Sequence, residues 1–466
     1  MTRSRTSPPL RYYPNGSRAG NRRIAGLRRR WALIREAIAT RLWPIPLGTI
    51  ILAVAAGILL PLLDAAVDSQ LPDAVRLALF NGGPDSARAV LSTIAGSLIT
   101  ATSLTFTLTV VVLQLASSQA TPRLLRLFAR DRMVHATLAV FLGTFTFSLM
   151  VLRTVQNSTD STAAAVPSIS ITLCLILTLT SVIMLTVFLD HLAKQLRVET
   201  MMRNIHRETR RTIDLVRSTT EDGPETIPEG TRPDTVRTVL ATRSGFLHSA
   251  SRSRLAALAT TLDIVIEEEH SIGASIIAGV PVVSWWPRSG GDMDEDFDEE
   301  AFDRSVRSAF PTGYERTSSQ DIGYGLRQLV DVAIRALSPS VNDPTTAVHA
   351  LSHISAVLCQ IAQLPPQPAG ILDDDGVLRL IVRPHRFEAL LNLAVEQPRR
   401  YGVSDPDLVA RLFLLLREVA LNTTNAKHRA AINDQCDRLA EAVKTVEYDE
   451  PELERFAALA ESVRAV

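Results

Sequence analysis

Four stretches of the chain, 42–63, 89–122, 136–152 and 161–189, run without a charged side chain. Each approaches or exceeds the roughly 20 apolar residues that cross a hydrocarbon core as one helix. The first, containing IPLGTIILAVAAGILLPLL, follows about forty residues and precedes no small-residue cleavage site, so it reads as a span and not as a cleaved leader. Arginine is distributed unevenly between the flanks. Residues 1–41 hold eleven arginines against Glu36 alone, and 117–133 hold Arg123, Arg126, Arg130 and Arg132 against Asp131. The segment after the fourth stretch adds Lys194, Arg197, Arg203, Arg207, Arg210 and Arg211, whereas 64–88 carries Asp64, Asp68, Asp73 and Asp85 against two arginines. Because cationic loops stay on the cytoplasmic side, the pattern predicts four spans in the plasma (inner) membrane with both termini cytoplasmic.

The second stretch is longer than a bilayer needs and is rich in hydroxyls. Thr93, Thr100, Thr107 and Gln114 recur every seven residues, with Ser97 and Ser103 beside them, which places these six along one face of a helix. Two readings compete for this stripe. Small and hydroxylated residues make a helix–helix seam, or they line a polar path around an oligomer axis. No acidic or basic residue lies mid-span, which leaves a proton relay or a voltage sensor without a candidate.

Beyond residue 192 the pattern changes. Residues 193–235 read as a helical connector followed by the linker GPETIPEGTRP. Short β-branched runs punctuated by Gly245, Gly273 and Gly279 make 236–290 a compact β module. Its order resembles the small β-barrel of lipoyl- and biotinyl-type carriers, yet no lysine occurs between Lys194 and Lys427 to carry the group. The remainder, 291–466, is mostly helical. Asp292, Asp294, Asp296 and Asp298 alternate as in a calcium loop, but Phe297 and Asp303 stand where an EF-hand needs glycine and glutamate. Asp321 is placed to cap a helix that carries Arg327, Asp331 and Arg335 at successive i,i+4 positions. After Ser338-Pro339, Asn342 leads into Asp343, a second cap with Pro344 in the first turn. The group Arg327, Asp331, Arg335, Asn342 and Asp343 is a candidate docking or structural motif. His349 and His353 share a helix face, but no third metal ligand lies near in sequence.

Composition narrows the functions. Lysine plus arginine and aspartate plus glutamate are each 49 in 466 residues, so the net charge is zero and no global basic face exists for nucleic acid. Three dispersed cysteines offer neither a disulfide framework nor a thiolate metal site. With no nucleophile–base pattern and no phosphate-cradling loop, no enzyme activity and no cofactor is expected. The tail of residues 1–41, rich in arginine, proline and glycine, is expected to be disordered and to touch anionic lipid weakly.

Two segments carry a resemblance. RQLVDVAIRALSPSVNDPTTA resembles the hallmark of a bacterial family of predicted membrane proteins, domain of unknown function 2254, and STIAGSLITATSLTFTLTVVVLQLASSQATPRLLRLFARDR resembles its membrane signature. SGFL and GVPVVSWWP fall where that family has similar passages, while HALSH departs from it. The resemblance spans about residues 45–440. It implies a four-span inner-membrane protein with a cytoplasmic C-terminal domain, and it brings no activity. The fold expected is therefore an α-helical membrane domain at 42–192 followed by an α+β cytoplasmic domain with a small β-barrel-like module and a helical part. The function expected is an oligomeric, channel-like protein whose cytoplasmic domain assembles or gates it. A membrane-anchored scaffold or sensor that docks a cytoplasmic protein is the alternative, and a membrane-tethered enzyme is third.

Overall fold

The computed structural model describes residues 43–67, 72, 79–119, 131–156, 166–195, 197–219, 223–290, 293 and 297–466. The N-terminal tail, where contact with anionic lipid was expected, the loop residues Asp68, Asp73, Arg76, Arg123, Arg126 and Arg130, and the acidic residues Asp292, Asp294 and Asp296 lie outside the described residues. The chain divides into two compact units, 1–194 and 195–466.

Unit 1 contains α1 (Pro44–Val67), α2 (Pro84–Gln119), α3 (Arg132–Thr154) and α4 (Ser168–Gln195). All four are long and apolar enough to cross a membrane. They are not equivalent. Over its most apolar window α3 is 56% buried, against 17% for α1 and α2 and 22% for α4, so α3 is the helix the others surround. Leu91, Ile94 and Leu98 of α2 pack with Phe141, Phe147 and Val151 of α3, and Ile171 and Cys174 of α4 complete the cluster. A second cluster joins Val112, Val134, Leu138, Phe188 and Leu192. A side chain at Gly57 of α1 would sit 2.3 Å from Met150 Cβ, so the glycine is what lets α1 approach α3 so closely.

Two carboxylates fasten the helix ends. Asp64, near the end of α1, accepts from Ile169 N (3.1 Å), Ser170 N (2.9 Å) and Ser170 Oγ (2.9 Å), placing its charge on the N-terminus of α4. At the other end Asp131 caps α3 through Met133 N (2.9 Å) and meets His191 Nε2 of α4 at 2.5 Å. The second loop thus ends in a helix-to-helix clasp that sequence spacing could not show.

Unit 2 opens with α5 (Val198–Thr219). The connector expected at 193–235 is in its first half a core helix: Met202, Ile205 and Ile213 are fully buried. There follow β1 (Arg237–Leu240), β2 (Gly245–Leu247), α6 (Arg252–Leu262), β3 (Ile264–Glu268), β4 (Ser275–Ile276), β5 (Pro281–Pro287), α7 (Glu299–Ala309) and β6 (Thr312–Gly313). Next come α8 (Ile322–Ala336), α9 (Pro344–Ala362), β7 (Gly370–Leu372) and β8 (Leu378–Ile381). The chain closes with α10 (Phe387–Gly402), α11 (Pro406–Leu421), α12 (Ala426–Val443) and α13 (Glu450–Arg464). Helix α9 also satisfies the length and apolarity of a span, making five such helices among the described residues. Its apolar face, however, is buried within unit 2 through Ala350, Leu351, Ile354 and Leu358.

The strands form two open sheets. One has the order β1-β5-β3-β8-β7, antiparallel except for β3 with β8, and the other is antiparallel β4-β2-β6. Residues 236–290 therefore do not complete a barrel by themselves: two strands of the larger sheet arrive from 370–381. Short strand signals cannot reveal a partner a hundred residues away, so the module looked self-contained in sequence. Trp285 is fully buried beneath this sheet, beside Phe297 and Phe302. In the helical part α8 is the centre, packed by α5, α9 and α10, and it is buried along its length except at Arg327, Ile334 and Arg335.

A Cβ at Gly325 of α8 would lie 1.9 Å from Thr209 Oγ1 and 2.8 Å from Thr209 Cβ of α5. The β-branched threonine has little room to turn. Gly325→Ala is expected to destabilise unit 2 by about 1–3 kcal/mol, read as an earlier denaturant midpoint in tryptophan fluorescence of the full-length protein. An unchanged midpoint would show that α5 can move away from α8 at no cost.

Candidate functional site

Thr93, Ser97, Thr100, Ser103, Thr107 and Gln114 are all exposed in the single chain. The buried face of α2 is a different one, made by Leu91, Ile94, Ala95, Leu98, Thr105 and Val112. The stripe is therefore not the seam between α2 and α3. Four of its five hydroxyls donate to their own helix: Thr93 to Ala89 O (2.7 Å), Ser97 to Ile94 O (3.0 Å), Thr100 to Gly96 O (3.0 Å) and Thr107 to Ser103 O (2.9 Å). That disposes of each proton and leaves the oxygen lone pairs directed outward as acceptors. The Gln114 side-chain amide has no hydrogen-bond partner among the described residues. Exposed Leu104 and Phe106 flank the stripe.

The second candidate group lies where α8 turns into α9. Arg327 Nη1 donates to Gln397 Oε1 of α10 at 2.8 Å, Asp331 is buried, and Arg335 is exposed. Asn342 adopts φ 48°, the left-handed conformation that asparagine tolerates better than most residues. Asp343 caps α9, its Oδ1 accepting from Thr346 N (3.0 Å) and its Oδ2 from Thr346 Oγ1 (2.6 Å). Those two bonds hold the Asp343 carboxyl below the usual carboxylate range. In SPSVNDPTT, then, asparagine, aspartate, proline and threonine each have a backbone task in reversing the chain between two packed helices.

A family profile of predicted membrane proteins matches residues 39–418, a range that includes both the stripe and this corner. The chain belongs to the DUF2254 family. It is 32% identical over 429 residues to an uncharacterised protein of Mycobacterium bovis and to one of Mycobacterium tuberculosis strain H37Rv, covering 91% of this chain and 80% of either relative. No solved structure matches.

In this DUF2254 chain sequence spacing showed one buried polar site only in part. Asp321, read as the cap of α8, does accept from Tyr324 N at 3.0 Å. Its carboxylate is fully buried and also receives Arg316 bidentately, Nε at 2.5 Å and Nη2 at 3.0 Å, with His385 Nε2 at 3.4 Å. Gly273, at φ 84°, is required beside it, because a Cβ there would fall 1.9 Å from Asp321 Oδ2. Burial pushes the Asp321 carboxyl up, but His385 and Arg316 together outweigh it and hold the group below the usual range. Arg316 and His385 could not be assigned to it from sequence, since nothing in the local pattern links 316–321 to 385.

His349 is exposed, and His353 meets His206 of α5 edge to face, with ring centroids 5.4 Å apart. No group of three or more histidine, cysteine, aspartate or glutamate side chains suited to a metal occurs among the described residues. Burial raises the thiol pKa values of Cys359 and Cys436, which makes both poor nucleophiles.

Two pH effects follow for the DUF2254 chain, in separate windows. Burial lowers the His206 and His353 pKa values from 6.5, so the unfolded chain takes up these protons first. Stability is then full above about pH 6.5 and declines as the pH falls below it. His353→Phe should flatten that slope in denaturant midpoints taken between pH 7 and 5, and a slope left unchanged would remove this pair from the effect. Asp321, with a depressed pKa, contributes stability above the unfolded carboxylate value of about 3.9 that is lost as pH falls through its folded value. At neutral pH Asp321→Ala leaves Arg316 without its partner and is expected to cost about 3 kcal/mol or more by the same fluorescence measurement; a loss below about 1 kcal/mol would mean the site is solvated.

Proposed function

We propose that α1–α4 cross the plasma membrane with both termini cytoplasmic, and that several copies assemble so that their α2 stripes meet around a shared axis and line a polar path. One observation carries the reading: the six polar side chains lie exposed on a face of α2 other than the one packed on α3. An amide facing hydrocarbon without partners costs several kcal/mol, so Gln114 calls for polar surroundings that the described residues of one chain do not provide. At 36 residues α2 is about 54 Å long, well beyond the hydrocarbon core, which leaves length for contacts outside it. Unit 2 would assemble or gate this path, and the N-terminal arginines would add weak contact with anionic lipid. The reading assigns no catalysis and no cofactor to the chain.

A second reading has support at the α8–α9 corner, where Val341 is 46% exposed next to Asn342. In that reading the protein is a scaffold that holds a cytoplasmic partner at the Arg335–Asp343 surface.

Native mass spectrometry from nanodiscs separates the two. The path requires four or more copies, and Thr107→Leu or Gln114→Leu should abolish solute flux in liposomes without altering stoichiometry. A monomer or dimer, or flux that survives both substitutions, would remove the path and leave the scaffold reading.

A further inference from the structure

A cavity of about 910 Å³ opens at the end of unit 1 where α1 finishes and α2 begins, a size within the range of small-molecule sites. We infer that it holds the phosphate headgroup of an anionic phospholipid, an assignment that rests on membrane insertion of unit 1. Its lining is divided in two. Ile58, Leu62 and Met150 make an apolar wall, while Asn81, Arg153 and Gln156 supply polar groups. Ile58 and Leu62 are 53% and 65% exposed, so the apolar wall continues onto the outer surface of α1, where an acyl chain would lie.

The two charges in the lining are held differently. Asp64 lines the cavity, but its oxygens are turned to three donors at the N-terminus of α4, whose positive end offsets its charge in part. Arg88, at the same end, is engaged by Val155 O (3.1 Å) and Asp85 (3.5 Å). Arg153 has no acidic partner among the described residues. Its guanidinium offers forked donors matched to phosphate oxygens, and the side-chain amides of Asn81 and Gln156 add neutral donors. An uncharged headgroup would leave the arginine uncompensated, and a zwitterionic one would bring its own cation in beside it. A free phosphate would leave the apolar wall unused.

The test uses full-length protein in nanodiscs of equal phosphatidylglycerol and phosphatidylcholine, with retained lipid counted by native mass spectrometry after release. Wild type should keep phosphatidylglycerol preferentially. Arg153→Gln should weaken that retention about tenfold, and Arg153→Lys, which preserves the charge, should keep the preference. Equal retention of both lipids, or an Arg153→Gln variant that behaves as wild type, overturns the inference. So does a result in which inorganic phosphate stabilises lipid-free wild type, but not Arg153→Gln, while phosphatidylglycerol is not retained; the anion would then be soluble. Alkaline extraction of native membranes keeps the outcomes apart. Protein released into the supernatant would refute membrane insertion, whereas membrane-held protein without lipid preference refutes only the headgroup assignment.

Discussion

The burial of α3 among three other apolar helices is the constraint on which unit 1 depends. Backbone groups in hydrocarbon must be satisfied within each helix, so the remaining freedom lies in which side chains face a neighbour and which face outward. Once α3 occupies the centre, each of the others has one inner face. On α2 that face is taken by Leu91, Ile94, Leu98 and Val112, and the hydroxyl stripe is left outside. On α1 the close approach at Gly57 uses one side and leaves Ile58 and Leu62 outward. Asp64 and Asp131 then hold opposite ends of α4 through backbone amides and an imidazole, with charges placed at helix termini where they cost least.

Unit 2 has its own centre in α8, which is almost wholly buried and enters the core at Asp321. That carboxylate joins the start of the helix to the turn around Gly273 and to the strand-to-helix passage at His385. The larger sheet uses the same device at the end of its central strand. Glu268, also buried, accepts Arg252 at 2.9 Å through both guanidinium donors and the backbone amide of Arg383 at 3.1 Å. Burying such charges is tolerable only because each carboxylate is fully partnered. The polar clusters thus fix how sheet and helices meet, while the apolar clusters supply the bulk of the cohesion.

The amino-acid sequence by itself determined the features whose cause is local. Uncharged length marked the four helices of unit 1, seven-residue spacing put the stripe on one face, and Asp321, Asp343 and Pro344 announced two helix starts that form where they were read. The family was legible from the α8–α9 passage and from α2, both of which lie inside the matched range. Tertiary structure decided the rest, because it rests on distances between residues far apart in the chain. Spacing cannot say whether a stripe faces a neighbouring helix or the outside, and only the placement of α3 turned it outward. Nor can it pair β3 with a strand from 378–381, give Asp321 its arginine and histidine, or bring His191 to Asp131. Local patterns follow from the periods of helix and strand, whereas these long-range pairings follow from how whole elements fill space together, which no window of sequence contains.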